Sequence, residues 1–334
     1  MHVLEEPLIS VLLPVYNAEE FVKEAVDSIL CQTFTNFELL VLNDGSTDNS
    51  MELVTHFKDK RIRIINNDGN KGLIYTLNKG IQEAKGEYIA RMDADDIALP
   101  NRFERQIKYL QKHKEISILG SNVETFGNEA KITNYPINDE EIKLQMLFEN
   151  PLCHPTVMFR KSIFLENNLS FNSKALHMED WWLWFDAAQK NMRFHNLEDV
   201  TLRYRYENQN ITIKNKATSK ARYMEFYENV LNHIFSHEAT PEEIEMHWMF
   251  SRGGIKKEHQ TSFKLYISHL KEGLNSKFNS NSIETFITSK LEQLIYRTSD
   301  QDIKTAFWIQ KSFGIKITGN YLLKRRIKNI IGKK

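Results

Sequence analysis

Short apolar, β-branched runs that alternate with helix-period stretches constrain this chain more than any other feature of it. Ile9-Ser10-Val11-Leu12-Leu13 reads as a buried strand stopped by Pro14, and Asn17-Ala18-Glu19-Glu20 as a capping box opening a helix to about Leu30. Phe37 to Asn43 repeats the strand signal, followed by the turn-rich Asp44-Gly45-Ser46-Thr47-Asp48 and a helix to about Phe57. Arg61 to Asn66 predicts a third strand, Leu73 to Ala84 a helix closed by Gly86, and Tyr88 to Met92 a fourth strand. This alternation specifies an α/β fold, a doubly wound, mostly parallel sheet of Rossmann-like type, whose ligands bind outside the carboxyl ends of the strands.

The polar clusters fall at those ends. Tyr16 follows the first strand, Asp44 the second, Asn66 to Gly72 the third, and Asp93, Asp95 and Asp96 the fourth. Neither Gly-x-Gly-x-x-Gly after the first strand nor Gly-x-x-x-x-Gly-Lys-Ser/Thr occurs, which disfavours a dinucleotide oxidoreductase and a P-loop kinase. Carboxylates crowded against apolar walls repel one another unless a hard divalent cation neutralises them, so Asp93 and Asp95 read as metal ligands. The alternative is an Asx-type turn leading to a helix N-terminus near Pro100, a role that Asp96 fits. Tyr16 and Asp44 suit a nucleobase, by stacking and by accepting a base N–H such as that of uracil; otherwise Tyr16 packs on the next helix and Asp44 caps a turn. Lys71 and Arg91 either add charge to phosphates or are solvated surface residues.

With 334 residues, 41% hydrophobic and 11% aromatic, the chain can bury a large core and carry a second, smaller one. No apolar run reaches the roughly 18–20 residues of a spanning helix, and Glu5, Glu6 and Pro14 stand where a signal peptide would be basic and then unbroken. Two cysteines, Cys31 and Cys153, make no disulfide framework, so a reducing, cytoplasmic setting is expected. Charge is unevenly spread. Residues 1–210 hold 23 Lys and Arg against 32 Asp and Glu, and the remainder 21 against 12, a swing from −9 to +9. A basic segment following an acidic one suggests an anionic membrane surface as partner ahead of nucleic acid.

Strand signals stop beyond about Ile213. Thr240-Pro241-Glu242-Glu243 is a helix start, helical periodicity continues through Leu265 to Leu270 and Ile283 to Ile295, and Asn275 to Ser282 reads as a loop. The expected organisation is a catalytic domain over 1–212 and a helical C-terminal domain over 213–334. Near the C-terminus, Leu322, Leu323, Ile327, Ile330 and Ile331 share a stripe with six basic residues around or after it, the composition of an interfacial helix drawn to anionic lipid. Docking on its own domain is the alternative.

Four linked stretches carry a family resemblance: Ser10-Val-Leu-Leu-Pro-Val-Tyr-Asn-Ala-Glu, Ser28-Ile-Leu-Cys-Gln-Thr-Phe-Thr-Asn-Phe-Glu, Asn43-Asp-Gly-Ser-Thr-Asp and Gly86-Glu-Tyr-Ile-Ala-Arg-Met-Asp-Ala-Asp-Asp. Over roughly residues 8–212 the chain resembles the family 2 glycosyltransferases of GT-A fold. The resemblance implies that Pro14, Tyr16 and Asp44 contact the donor nucleoside, and that Asp93 and Asp95 form the Asp-x-Asp pair. Asp95 is then the direct ligand of Mn²⁺ or Mg²⁺. Met178-Glu179-Asp180-Trp181-Trp182-Leu183-Trp184 resembles the family's Glu-Asp motif at the start of a helix under the acceptor, with Asp180 as catalytic base and Glu179 and Trp181 beside the acceptor. A helix N-terminus favours that carboxylate's charge while burial opposes it, and core packing is the alternative for the tryptophans. Asn150-Pro-Leu-Cys-His-Pro-Thr-Val-Met-Phe-Arg-Lys brings His154 toward the site from a strand edge, a structural histidine being the alternative.

Thr201-Leu-Arg-Tyr-Arg-Tyr-Glu-Asn-Gln resembles the family's closing strand, but Glu207 stands where many relatives carry a histidine, which leaves a third protein ligand from this loop in doubt. The implied activity is metal-dependent, inverting transfer of a sugar from a nucleotide-sugar donor, UDP-linked by preference, to a saccharide or lipid-linked saccharide of the cell envelope. A sugar-phosphate nucleotidyltransferase would want a Gly-rich basic loop in place of Pro14-Val15-Tyr16. A binding module without catalysis is opposed by Asp93, Asp95 and Asp180 together.

Overall fold

A computed structural model describes residues 6–207, 219–299 and 302–315. The basic C-terminal segment from Tyr321 lies outside the described residues, as does the expected domain boundary at residue 212. The chain divides into two compact units, Met1–Met146 with Asn150–Asn215, and Leu147–Glu149 with Lys216–Lys334.

The first unit is built on β1 (Ile9–Val15), β2 (Phe37–Asn43), β3 (Ile62–Asn66) and β4 (Tyr88–Arg91), connected by helices α1 (Val22–Leu30), α2 (Ser50–Thr55) and α3 (Leu73–Glu83). These strands pair in parallel in the order β3-β2-β1-β4, as the alternating pattern requires. The sheet then changes character. β8 (Met158–Arg160) runs antiparallel to β4, β6 (Ile118–Gly127) antiparallel to β8, β9 (Phe194–Tyr206) parallel to β6, and β5 (Ile97–Ala98) antiparallel to β9. Helix α1 faces the sheet with Val22, Ala25, Val26 and Ile29, all fully buried; the larger of these contribute about 1.5–3 kcal/mol each.

Several sequence expectations change in detail. β1 does not stop at Pro14: it continues to Val15, with Pro14 opposite Leu42 of β2. On its other side the β4 pairing reaches only Leu12, so the missing N–H of Pro14 removes no ladder bond there. Asn17 does not cap α1, which begins at Val22 without a side-chain cap. Instead Asn17 takes a left-handed φ of 49°, and its Oδ1 accepts from Thr47 N at 2.8 Å, tying the loop after β1 to the loop after β2. Gly86 is not a left-handed helix cap. Its backbone lies against β1, where an added Cβ would stand 2.5 Å from Ser10 N, so the constraint there is space.

The second unit holds helices Ser219–Ile234, Pro241–Ser251, Gln260–Asn275, Ser280–Ser299 and Ile303–Ser312. Its core includes Phe226, Tyr227, Phe250, Phe263, Tyr266, Leu270 and Leu294. Phe148 belongs with this core, stacked on His247 at 4.6 Å between ring centroids. The Nε2 of His247 faces the Leu147 carbonyl at 2.8 Å and must donate; its Nδ1 therefore accepts from the Tyr266 hydroxyl at 2.7 Å. Burial holds this imidazole neutral, with its pKa pushed down to about 4. Among the described residues no helix is long and apolar enough to cross a membrane.

Candidate active site

The carboxyl ends of the parallel strands gather the expected residues unequally. Tyr16 leaves β1 half exposed, its ring available to a stacking partner. Asp44 is buried, and its oxygens accept from the backbone N–H of Lys71 at 2.8 Å, of Gly72 at 2.9 Å and from the Asn67 amide at 2.8 Å. This carboxylate thus organises the loop between β3 and α3 before any ligand arrives. Gly45 completes the turn with a φ of 75°, and an added Cβ would meet the Gly69 backbone at 2.6 Å. Pro14 is half-buried, and the Lys71 side chain is exposed beside a cavity of about 570 Å³ that Tyr75 and Leu176 also line. A second cavity, of about 670 Å³, shares Asn78 and Ser173 with the first; neither is lined by Asp95 or Asp180.

Beyond β4 the chain turns tightly, and ligand atoms of Asp93, Asp95 and Asp96 lie within 4.8 Å of one another. Burial, then the charge of Asp93, lifts Asp95 to about 6. Burial, then Asp93 and Asp95, lifts Asp96 well above the usual carboxylate range. Asp96 was assignable from sequence to a helix start. The structure corrects this: α4 (Arg102–Lys112) begins later, Asp96 is 1% exposed, its Oδ1 accepts from Arg205 N at 2.8 Å, and its buried Oδ2 has no partner. Three converging acids, one with an orphaned oxygen, fit a hard divalent cation with oxygen ligands.

Arg91 also departs from expectation. Its guanidinium is buried and ion-paired with Asp93, so it is not offered to a phosphate. It sits within electrostatic reach of Asp96 and Asp180 as well, and Glu179 in turn feels Asp93 and Arg91. The acids after β4 and those opening helix α7 (Glu179–Gln189) therefore share one electrostatic neighbourhood centred on this cation.

Asp180 is held from two sides: Oδ1 accepts from Trp181 N at 2.8 Å and Oδ2 from Asn150 Nδ2 at 2.6 Å. Burial nonetheless raises its pKa, outweighing these bonds and the charge of Arg91. Glu179 is pushed up to about 7 by burial and then by Asp180. Of the two opposing effects weighed from sequence, desolvation wins. His154 arrives from a short 3₁₀ turn, His154–Thr156, rather than a strand edge; its Nδ1 is 4.0 Å from Asp180 Oδ2 and its buried Nε2 has no partner. Burial, then Arg91, holds it well below the usual histidine range, hence neutral.

Trp181 is 3% exposed, with its indole N–H on the Met146 carbonyl at 2.7 Å, so its ring offers no free face to an acceptor. It is core, as is Trp184. Sequence reasoning left two residues unassigned, Asn150, which stood inside a quoted motif, and Arg205, whose Nε donates to Asp95 O at 2.8 Å. Arg205 anchors the acidic turn to β9.

A family model described as glycosyl transferase family 2 matches residues 10–167. An uncharacterised glycosyltransferase of Haemophilus influenzae is 36% identical over 223 residues, 63% of this chain and 69% of that protein. The UDP-Glc:alpha-D-GlcNAc-diphosphoundecaprenol beta-1,3-glucosyltransferase WfgD of Escherichia coli is 31% identical over 238 residues, 70% of this chain and 91% of its own length. Among solved structures, S. aureus TarS 1-349 in complex with UDP-GlcNAc superposes with a TM-score of 0.56 at 19% identity, covering 79% of this chain and 81% of that one.

Proposed function

We propose, for a chain that belongs to glycosyl transferase family 2, that it moves a sugar from a UDP-linked donor to a saccharide carried on a lipid diphosphate, in the building of an envelope glycan. The observation that carries this reading is the pairing of two partly buried acid groups around Arg91: Asp93, Asp95 and Asp96 on one side, Glu179 and Asp180 on the other. Asp180 takes the proton of the acceptor hydroxyl, whose oxygen bonds to C1 of the donor sugar as the bond from C1 to the diphosphate oxygen breaks. The electron pair leaves with the nucleoside diphosphate, and the anomeric centre inverts. Tyr16 stacks on the base, and Asp44 holds the loop over it through the Lys71 and Gly72 N–H groups. Asp95, with Asp93 and Asp96, would hold a divalent cation, which would supply positive charge to neutralise the departing diphosphate.

Asn150 orients the base, and neutral His154 borders it without competing for the proton. The family gives the reaction class. The choice of UDP rests on Tyr16 and Asp44, and the lipid-linked acceptor on the diphosphoundecaprenol acceptor of WfgD together with the basic sequence near the C-terminus. Residues 1–212 are proposed as the catalytic part. A panel of UDP- and GDP-sugars tested by thermal unfolding with and without Mn²⁺ should single out one donor that raises the melting temperature in a cation-dependent way. Stabilisation by GDP-sugars alone, or by none, would overturn the donor assignment.

A further inference from the structure

The second unit carries a cluster that sugar transfer does not use. Glu243 occupies the third position of helix Pro241–Ser251 in a capping box: its Oε2 accepts from Thr240 N and Thr240 Oγ1, both at 2.9 Å, and its own N–H donates to Thr240 Oγ1 at 3.2 Å. This fixes the carboxylate and turns Oε1 away from the cap. Two imidazoles meet that oxygen, His269 Nδ1 at 2.8 Å and His237 Nε2 at 3.1 Å. His269 belongs to helix Gln260–Asn275, and His237 follows helix Ser219–Ile234, so three separate segments supply the donors. Phe235 stacks on the His237 ring at 5.1 Å and meets the His269 ring edge-on at 6.2 Å.

A helix cap of this kind needs no histidine. Two imidazole nitrogens and a carboxylate oxygen, all within 4.8 Å of one another, make a donor set for borderline metals such as zinc, whereas Mg²⁺ and Ca²⁺ want oxygen alone. Metal bonds of about 2.0–2.1 Å in a tetrahedron place neighbouring donors roughly 3.3 Å apart. The two carboxylate–imidazole separations are already close to that edge. With the His237 side chain 43% and that of His269 33% exposed, an ion can enter from solvent.

We propose that His237, Glu243 and His269 form a transition-metal site, zinc first, with a fourth position open to water. Bound there, the ion ties the turn at His237, the helix start at Glu243 and the helix carrying His269 into one piece. The site is chemically distinct from the aspartate cluster after β4.

The test uses the full chain, stripped by chelator and titrated calorimetrically with Zn²⁺ in excess Mg²⁺, which occupies oxygen-only sites. One Zn²⁺ should bind and the unfolding temperature should rise, and Co²⁺ should give the visible spectrum of a nitrogen- and oxygen-ligated tetrahedral ion. The double variant His237→Ala/His269→Ala should bind Zn²⁺ at least ~100-fold more weakly, beyond the loss usual for outer-shell partners. Because the capping box stays intact, its circular dichroism should match the native chain, and His237→Gln alone should weaken binding in the same direction. Asp95→Asn should leave zinc binding unchanged. Equal affinity in native chain and double variant, or no zinc bound by the native chain in Mg²⁺, would overturn the site.

Discussion

Two carboxyl clusters in this molecule have opposite electrostatic states. After β4, Asp93, Asp95 and Asp96 face one another in a partly buried turn, and Asp95 is pushed up to about 6. In the helical unit Glu243 is partly buried, which alone would raise it, yet the Thr240 backbone, His269, the Thr240 hydroxyl and His237 together pull it down to about 2. The difference lies in donors. Glu243 has four donors, roughly as many as one carboxylate can accept from, while the aspartates have fewer, with Asp96 Oδ2 unpartnered. Without a metal, the donors around Glu243 stabilise its own fold, whereas a crowd of carboxylates short of donors suits a hard, oxygen-seeking cation.

The contrast can be broken at several points. The largest effect is expected at Asp180, where Asp180→Asn should lower transfer by roughly 10²–10⁴-fold, the range of a lost general base, with donor binding kept. Single-turnover rates beside donor affinity measure this, and near-native turnover would remove the base assignment. Next, Asp95→Asn should abolish cation-dependent donor binding, yet make the cation-free chain more stable by roughly 1–3 kcal/mol, since a raised pKa reports a cost of ionisation. Denaturant unfolding without divalent ions checks the sign; a destabilised variant would mean the repulsion is not there.

Glu243→Gln should do the reverse, costing about 1–2 kcal/mol at neutral pH, the scale of a lost cap. The pH dependence separates the clusters further. Asp95 and Glu179 have folded pKa values above their unfolded ones, so they bind more protons in the folded chain, and their contribution to stability falls as pH rises from about 4 through 6 and 7. Glu243 is depressed, so its contribution is full above the ordinary carboxylate range and is lost as pH falls toward about 2. Melting temperatures across this range in Asp95→Asn and Glu243→Gln should show the first slope flattened in one variant and the second in the other. The smallest effect is expected at Thr240→Ala, about 1 kcal/mol, because Glu243 keeps its imidazole partners.

How much of this was legible in the sequence follows from what each element depends on. β2 runs from Phe37 to Asn43 as its apolar run dictates, and the helix start at Thr240 shows the reciprocal bonds its four residues specify. Both are local patterns. The roles of Pro14, Asn17 and Gly86 are not legible locally because they depend on what lies beside them: a neighbouring strand already ended, a loop 30 residues on, and the backbone of β1. The acids of the site were found as residue types at strand ends. The inward pairing of Arg91, the entry of Asp96 into the cluster and the closed environment of Trp181 all require β9, α7 and the chain near Met146 to be in place. Convergence of the two histidines on Glu243 is likewise tertiary, since neither stands at a ligand spacing from the other.

Asp44 gives the architecture a practical limit. Because the carboxylate proposed to front the base pocket also grips the N–H groups of Lys71 and Gly72, anyone hoping to re-engineer nucleotide preference there cannot edit that position in isolation. Neutralising it would slacken the rim before altering what the rim selects, so a switch in donor would have to be sought in side chains that do not hold up the wall they line.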